Sequence, residues 1–132
     1  MTTDAERQSR YYYRHQEDCK QQLRDYYKNH REEILKHHQK THDELRMKCL
    51  IHYGGDPPKC ACCGEDHLLF LTIDHIFGGG NHHKKEIGGS GRLYNWLVQN
   101  NFPEGFQVLC YNCNCAKYRG HSSNGFCPIH HP

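Results

Sequence analysis

Two closely spaced cysteine pairs form the strongest chemical pattern in the sequence. Cys60 and Cys63 make one C-x2-C pair, and Cys110 and Cys113 make another. Each short turn presents two sulfurs to one metal, so two such pairs supply the four thiolates of a tetrahedral zinc ion. The segment between the pairs is longer than the roughly 15–20 residues of common zinc ribbons. We therefore predict a structural Zn²⁺ on these four cysteines, with further structure in the insert between them.

A second pattern combines a residue pair inside that insert with one just after it. Asp74 and His75 directly follow an apolar run, and Asn114 directly follows the last of the four cysteines. Carboxylate and amide oxygens suit Mg²⁺, and a histidine can accept a proton near neutral pH. An isolated Asp-His pair is more often a surface pair or a core histidine with its partner. The predicted four-cysteine zinc ion favours a functional site here, because it would bring Asn114 back toward the end of the strand that carries Asp74.

Together these motifs resemble the HNH endonucleases, and within them the zinc-containing, recombination endonuclease VII-like group. The resemblance covers about residues 59–120 and is carried by Cys60 with Cys63, residues 72–76, the glycines at 78–80, and residues 106–114 followed by Lys117. It implies a ββα-metal (His-Me finger) fold, in which a hairpin and a helix surround one divalent ion.

The resemblance also implies a role for each residue of the second pattern. The metal-binding aspartate and asparagine of the family correspond to Asp74 and Asn114, which would hold Mg²⁺ or Mn²⁺. The general base of the family corresponds to His75, which would activate water for attack on a DNA phosphate. The products would carry a 5′-phosphate and a 3′-hydroxyl.

One position departs from the family pattern. Most members have an asparagine that braces the loop bearing the catalytic histidine, and this chain has Gly105 there. The residues that could take over this role from the preceding segment are Asn95, Asn100 and Asn101, and a backbone group is a further alternative.

Any binding of phosphate would depend on local clusters of basic residues and not on the net charge of the chain. The formal net charge is only +2, and four zinc-bound thiolates would bring it to about zero. The candidate phosphate contacts are Lys84, Lys85, Arg92, Lys117 and Arg119. His82 and His83 could contact substrate or join the metal shell, and we expect contact with substrate or solvent.

The end of the chain holds a weaker metal-binding pattern. Cys127 and His130 are spaced as a ligand pair, and with Cys115 and His121 they could close a second zinc site. Short tails also carry incidental cysteines and histidines, so this site stays open. Cys62 and Cys115 lie beside the C-x2-C pairs and are alternative ligands for the first ion.

The elements that must position these residues follow from the apolar pattern. Residues 68–73 and 106–109 are predicted strands, and residues 92–100 and about 112–117 are predicted helices. The basic segment at 82–85, between two glycine clusters, is predicted to be a loop.

Residues 1–53 contain no glycine or proline and interleave basic with acidic side chains. Pairs such as Glu32 and Lys36 have helical spacing, so we predict a charged helical arm. A solvated helix is the ordinary interpretation of such a pattern. The alternative is an arm that contacts DNA or mediates homodimerisation, with tyrosine and arginine supplying stacking and phosphate contacts.

The composition argues against a membrane protein. The longest apolar run, residues 68–73, is far shorter than the roughly 20 residues that span a bilayer. The first residues are polar and do not resemble a secretion signal. Nine cysteines, clustered in close pairs, favour metal binding by reduced thiols over disulfides. We expect a cytoplasmic protein, in the host cytoplasm if a phage encodes it, with DNA and no membrane as its partner.

These patterns predict an α+β protein in three parts: a charged helical arm (1–53), an HNH nuclease domain with a four-cysteine zinc (54–120), and an irregular tail (121–132). The expected activity is DNA nicking, or double-strand cutting by a dimer, as in a phage or mobile-element endonuclease. Two alternatives stay open: a non-catalytic, zinc-dependent nucleic-acid-binding module, and a structural scaffold assembled through the helix.

Overall fold

The computed structural model describes residues 1–132 and shows an α+β chain that is mostly helical, with one two-stranded sheet. In chain order the elements are α1 (Asp4–Arg14), α2 (Gln16–Asn29), α3 (Arg31–Gly54), β1 (Leu71–His75), α4 (Gly80–Glu86), α5 (Leu93–Gln99), β2 (Phe106–Cys110) and α6 (Tyr111–Arg119). None of these helices has both the length and the apolar character that crossing a membrane requires.

The chain divides into two compact units, Met1–Lys40 and Thr41–Pro132. This division comes earlier than the boundary near residue 54 that the glycines and prolines suggest. The reason is that the last turns of α3 belong to the second unit, where Cys49 and Leu50 are fully buried in its core.

The first unit consists of helices and has no buried residue. Helix α1 begins at a capping box in which the Thr3 hydroxyl accepts from the Glu6 backbone N–H and the Glu6 carboxylate accepts from the Thr3 N–H. The helices are interrupted at His15 and His30, where there is neither glycine nor proline. At the second break, the His30 ring Nδ1 donates to the Tyr26 carbonyl (2.8 Å) alongside the His30 backbone N–H (3.0 Å). A side chain that competes for a helical carbonyl in this way is a known cause of a helix break.

The core of the second unit lies between the sheet and two helices. It is formed by aliphatic side chains from each element, together with buried cysteines. The fully buried members are Cys49 and Leu50 of α3, Leu71 of β1, Leu97 of α5, Val108 and Leu109 of β2, and Cys127. This core is small, which leaves room for metal binding to contribute to folding.

Strands β1 and β2 pair antiparallel, with Thr72 opposite Leu109 and Asp74 opposite Gln107. Helix α6 follows β2 without an intervening loop. Cys110 is the N-cap of α6, and its Sγ accepts a hydrogen bond from the Cys113 backbone N–H at 3.4 Å. The chain therefore turns from strand to helix on a cysteine pair, and α6 starts at a fixed point beside the sheet.

Two side chains from the end of α3 fasten the loops around this sheet. Arg46 donates to the carbonyls of Leu68 and Leu71, at the entry to β1. The Tyr53 hydroxyl donates to the Pro103 carbonyl at 2.6 Å, just before β2. Burial raises the pKa of Tyr53 to about 12, which keeps this hydroxyl a donor.

Two local predictions are wrong. Residues 68–73 do not form one strand, because Leu68–Phe70 is a 3-10 turn and β1 starts at Leu71. Leu69 is 73% exposed, so the apolar run extends past the part that packs. The basic segment at 82–85 lies within α4 rather than in a loop. The other predicted elements form as β2, α5 and α6, with bounds that differ by one or two residues.

We expect Leu97→Ala to destabilise the second unit by about 2–5 kcal/mol, because it removes a buried side chain and leaves a cavity. Urea unfolding in zinc-saturated buffer measures this free energy. The matched control is Leu69→Ala, at an exposed leucine of the same unit, for which we expect a change within about 0.5 kcal/mol. Equal losses in the two variants would contradict the assignment of Leu97 to the core.

Candidate functional site

The four cysteines of the two C-x2-C pairs come together in the second unit. The sulfurs of Cys60, Cys63, Cys110 and Cys113 all lie within 4.8 Å of one another, and those of Cys63 and Cys110 are 3.7 Å apart. Three of the four side chains are buried, and Cys63 is exposed. This group could bind a structural metal such as zinc, because four sulfurs at this separation match a tetrahedral thiolate site.

Local backbone geometry explains why these sulfurs converge. The Gly64 N–H donates to the Cys60 carbonyl and the Cys60 N–H donates to the Glu65 carbonyl, so the first pair sits on a closed turn. The turn needs a backbone φ of +80° at Gly64, which glycine adopts without strain. Burial alone would raise the pKa of Cys60, but hydrogen bonds from the backbones of Cys110, Cys63 and Cys62 outweigh it and bring that pKa to about 7. A thiol that ionises this easily is ready to bind a cation.

A second group of possible metal ligands shares one cysteine with the first. Cys62, Cys113, Cys127 and His130 also place their ligand atoms within 4.8 Å of one another. Cys127 is fully buried although it lies in the C-terminal segment (residues 121–132), which has no helix or strand.

This second group corrects the partners that the sequence suggests for Cys127 and His130. Cys115 and His121 do not join it, and both line a cleft instead. The reason is the phase of α6. Residues two apart on a helix face different directions, so Cys115 is exposed while Cys113 is buried against the ligands.

That cleft, of about 1140 Å³, brings together the three residues predicted to form the active site. Asp74 and His75 reach it from the end of β1, and Asn114 reaches it from the first turn of α6. The remaining walls come from the glycine loop at 78–80, from the start of α4 and from the C-terminal segment. The sheet and α6 therefore position a carboxylate, an imidazole and an amide around one space.

Asp74 is held by a buried ion pair. The Lys117 ammonium lies 2.6 Å from Asp74 Oδ2, and both side chains are 9% exposed. The same ammonium donates to the carbonyls of His75 (2.8 Å) and Ile76 (3.0 Å), so all three of its hydrogens are used. Gln107, opposite Asp74 on β2, donates to the same Oδ2 at 2.9 Å. These hydrogen bonds fall on Oδ2 and leave Oδ1 as the oxygen that can face a cation.

The orientation of the Asn114 amide follows from a chain of hydrogen bonds. The Thr72 hydroxyl spends its single hydrogen on the Leu109 carbonyl at 2.8 Å. Its oxygen can then only accept, and Asn114 Nδ2 donates to it at 3.0 Å. Asn114 Oδ1 is therefore the free atom of the amide. Thr72 and Asp74 are two residues apart on β1 and lie on one face of the strand, so this bond brings Asn114 beside Asp74.

His75 lies at the end of β1 against Gly80, Phe106 and His83. Its ring centroid is 4.8 Å from that of Phe106, and a Cβ on Gly80 would come within 3.0 Å of its Nδ1. A side chain at position 80 would therefore displace the imidazole. Burial lowers the pKa of His75, His83 and nearby cationic side chains lower it further, and the charge of Asp74 opposes them.

His83 has a different environment from the one predicted. The sequence predicts contact with substrate or solvent, but the His83 ring is half-buried in α4 between His75 and Trp96. His83 Nδ1 lies 2.9 Å from His75 Nε2, and its own Nε2 is buried without a hydrogen-bond partner. Nothing in the sequence distinguishes His82 from His83. They differ because α4 is a helix that exposes His82 and partly buries His83, and the basic composition of this segment predicted a loop.

None of the asparagines considered as a replacement at the Gly105 position bonds to His75. The Asn100 amide donates to the Trp96 carbonyl, and Asn95 is exposed. The Gly105 carbonyl accepts from the Ile76 N–H at 3.0 Å and so secures the backbone next to His75. The side chain that bonds to His75 is His83.

The candidate phosphate contacts lie in different environments. Lys84 lines the cleft and is half-buried. Lys85, Arg92 and Arg119 are exposed and are not among the residues that line it. Lys117 lines the cleft, but its three donors are already bonded within the chain. That any of them contacts phosphate stays a prediction.

Comparisons with protein-family models, with curated proteins and with solved structures gave no match for this chain. Its function is therefore inferred from the residues of the cleft and of the two ligand groups. Their functional groups are a carboxylate, an imidazole, an amide and the sulfurs of the cysteines, and the fold brings these groups together.

We expect Lys117→Met to destabilise the second unit by about 3–5 kcal/mol, because it leaves the buried Asp74 carboxylate without its cationic partner. Urea unfolding measures the change, and Lys85→Met, at an exposed lysine, is the control. Adding Asp74→Asn to Lys117→Met should recover part of the loss, because no net charge then remains buried. If Lys117→Met were as stable as Lys85→Met, the ion pair would have no structural role.

Proposed function

We propose that this protein is a metal-dependent endonuclease of the HNH type that hydrolyses DNA phosphodiester bonds. The observation that carries the proposal is the convergence of Asp74, His75 and Asn114 on one cleft. An antiparallel strand pair that leads directly into a helix also agrees with the ββα-metal arrangement that the motifs imply. The sulfur-rich group beside that helix agrees with the zinc-containing branch of the family.

The donor set of the cleft fits a hard divalent cation. Asp74 Oδ1 and Asn114 Oδ1 are both free of hydrogen bonds within the chain, and oxygen is the ligand that Mg²⁺ and Mn²⁺ prefer. When bound there, the ion would stabilise negative charge on the scissile phosphate and on the leaving oxygen.

His75 is the proposed general base. Burial and neighbouring cationic groups lower its pKa, so the imidazole is neutral near pH 7 and can accept a proton. Its Nε2 faces His83, which leaves Nδ1 as the nitrogen to receive the proton from water. Gly80 leaves space beside that nitrogen because it has no side chain.

His83 is the proposed positioning residue for this base. For Nδ1 of His75 to accept a proton, the ring must carry its hydrogen on Nε2, and His83 Nδ1 is the acceptor that holds it there. Packing between His75 and Trp96 in turn fixes the His83 ring. His83 would thus perform the bracing role that the family gives to the asparagine absent at Gly105.

The walls of the cleft suit a nucleic acid strand. Lys84 supplies positive charge, and Tyr111 and Tyr118 line the same cleft with 61% and 79% of their surfaces exposed. Exposed aromatic rings beside positive charge can stack on bases while the cations face the backbone. This combination supports a polynucleotide as substrate.

One such site cuts one strand, so the expected product is a nick. Double-strand cutting would need two copies, and we propose the first unit as the part that would join them or hold DNA. Its helices expose tyrosines and leucines without a core to bury them: Tyr11, Tyr12, Tyr13, Leu23, Tyr26, Tyr27 and Leu35.

A second candidate function is a zinc-dependent nucleic-acid-binding module without catalysis. The observation that favours it is the ion pair between Lys117 and Asp74, because the ammonium already neutralises the carboxylate that a catalytic metal would need. Metal-dependent turnover separates the two candidates.

We expect the protein to nick supercoiled plasmid in the presence of Mg²⁺ or Mn²⁺, and His75→Ala to lower the rate by about 10²–10⁴-fold, which is what a general base contributes. Gel analysis of plasmid relaxation measures the rate. His131→Ala, an exposed histidine outside the cleft, is the control and should keep the normal rate. If folded, zinc-loaded protein leaves plasmid, single-stranded and branched DNA uncut, the catalytic proposal fails and the binding module takes its place.

We expect His83→Phe to lower kcat by about 10–100-fold, the usual effect of losing a residue that orients a neighbouring ligand or base. Because His83 is not proposed to contact DNA, KM should change little. His83→Gln, whose amide oxygen can still accept from His75, should recover much of the activity. A purely structural role would instead lower stability in both variants and give no recovery of kcat.

A further inference from the structure

We propose that the two ligand groups form one dinuclear zinc cluster in which the Cys113 thiolate bridges both ions. The proposal depends only on the ligands and not on the nuclease activity. One ion would be bound by Cys60, Cys63, Cys110 and Cys113, and the other by Cys62, Cys113, Cys127 and His130 through Nδ1. Each ion would then have the four ligands of a closed structural site.

The separations within the second group are close to those of a tetrahedral site. Zn–S distances of about 2.3 Å and Zn–N distances of about 2.0–2.1 Å give ligand-to-ligand edges of roughly 3.5–3.8 Å. His130 Nδ1 lies 3.7 Å from the sulfurs of both Cys62 and Cys113. Cys127 Sγ is closer, at 3.1 Å from Cys62 Sγ and 3.0 Å from His130 Nδ1. An ion would require Cys127 to move outward by only roughly 0.5 Å.

Cys113 is the natural bridge because it is the one residue present in both groups. It is 2% exposed and lies in the first turn of α6, and its sulfur is within 4.8 Å of the other ligand atoms of both groups. Thiolates are soft ligands that bind zinc strongly. A buried thiolate that binds two ions needs no hydrogen-bond donor or water beside it.

The charge balance favours two ions over one. Two Zn²⁺ on six thiolates leave a net charge of −2, which is the charge of a single Zn²⁺ on four thiolates. With one ion alone, Cys62 and Cys127 would have to stay as packed thiols beside a negatively charged centre. The second ion removes this problem because it binds both sulfurs.

The second ion would also explain how a segment without helix or strand stays packed. The segment approaches the rest of the unit so closely that a Cβ on Gly120 would lie 2.5 Å from Pro128 Cγ. The Gly125 carbonyl accepts from Gln107 Nε2 at 2.6 Å, and Gln107 also bonds to Asp74. The cluster would therefore hold the segment whose Ser122 and Ser123 form one wall of the cleft.

The first test is the zinc content of the full chain, measured by mass spectrometry of the metal after gel filtration. We expect two zinc ions per chain, and one in the double variant Cys127→Ser, His130→Ala. The controls are Cys115→Ser and His131→Ala, which alter neighbouring residues outside both groups and should keep two ions.

The second test uses unaltered protein and so does not depend on whether a variant folds. In protein loaded with ¹¹³Cd, we expect two cadmium resonances, one from four sulfurs and one from three sulfurs and one nitrogen. A shared thiolate should give a scalar coupling between them, which two separate sites would not.

Besides two cadmium resonances without coupling, three results would overturn the proposal. One is a single zinc ion per chain with Cys62 and Cys127 recovered as free thiols. Another is a disulfide between these two cysteines in freshly purified protein. The third is loss of the second ion in a Cys115→Ser, His121→Ala variant, which would move it to the ligands that the sequence first suggested. A protein with two coupled ions and no nuclease activity would leave the cluster established and only the proposed function refuted.

Discussion

The position of α6 against β1 is the constraint on which the rest of the second unit depends. Asn114, Lys117 and Cys113 all lie within the helix, and each makes a different contact: an amide to Thr72, an ammonium to Asp74 and a sulfur to the metal ligands. The helix starts at Tyr111, directly after β2 and its N-cap Cys110, so the strand register and the cysteine turn fix its position together. Thiols crowd this region, and a bound cation is the ordinary way to stabilise such a concentration of sulfur.

The buried ion pair of Asp74 and Lys117 stabilises the fold and also determines which oxygen atoms face the cleft. Burying either charge alone is unfavourable, and the pair is tolerated because Gln107 and two backbone carbonyls satisfy the remaining hydrogen-bonding groups. The same arrangement leaves one carboxylate oxygen and one amide oxygen toward the cleft. A positive charge already present beside Asp74 means that a divalent ion there would bind more weakly than to an isolated carboxylate.

Part of this arrangement could be predicted from the sequence. The α+β class is confirmed, and the four cysteines come together because C-x2-C spacing is a local rule with strict metal chemistry. The grouping of Asp74, His75 and Asn114 was predictable for the same reason, because four cysteines on one metal bring Asn114 back toward the strand that carries Asp74. The sequence offers Cys62 only as an alternative ligand of the first ion and does not predict that His83 bonds to His75, because these partners depend on helical phase and on the path of the C-terminal segment. The inward orientation of Lys117 was missed for a similar reason, since composition does not tell a buried lysine from a surface one.

Cys113 and Asn114 are consecutive residues of one helical turn, so the two groups of possible metal ligands and the cleft share a rigid element. Any molecule that binds the cleft only when this turn is formed must also favour the conformation in which these ligands could bind a metal such as zinc. The two equilibria are then thermodynamically linked, and each ligand raises the affinity of the other by the same factor. Zinc supply and occupancy of the cleft would act on the protein as mutual effectors.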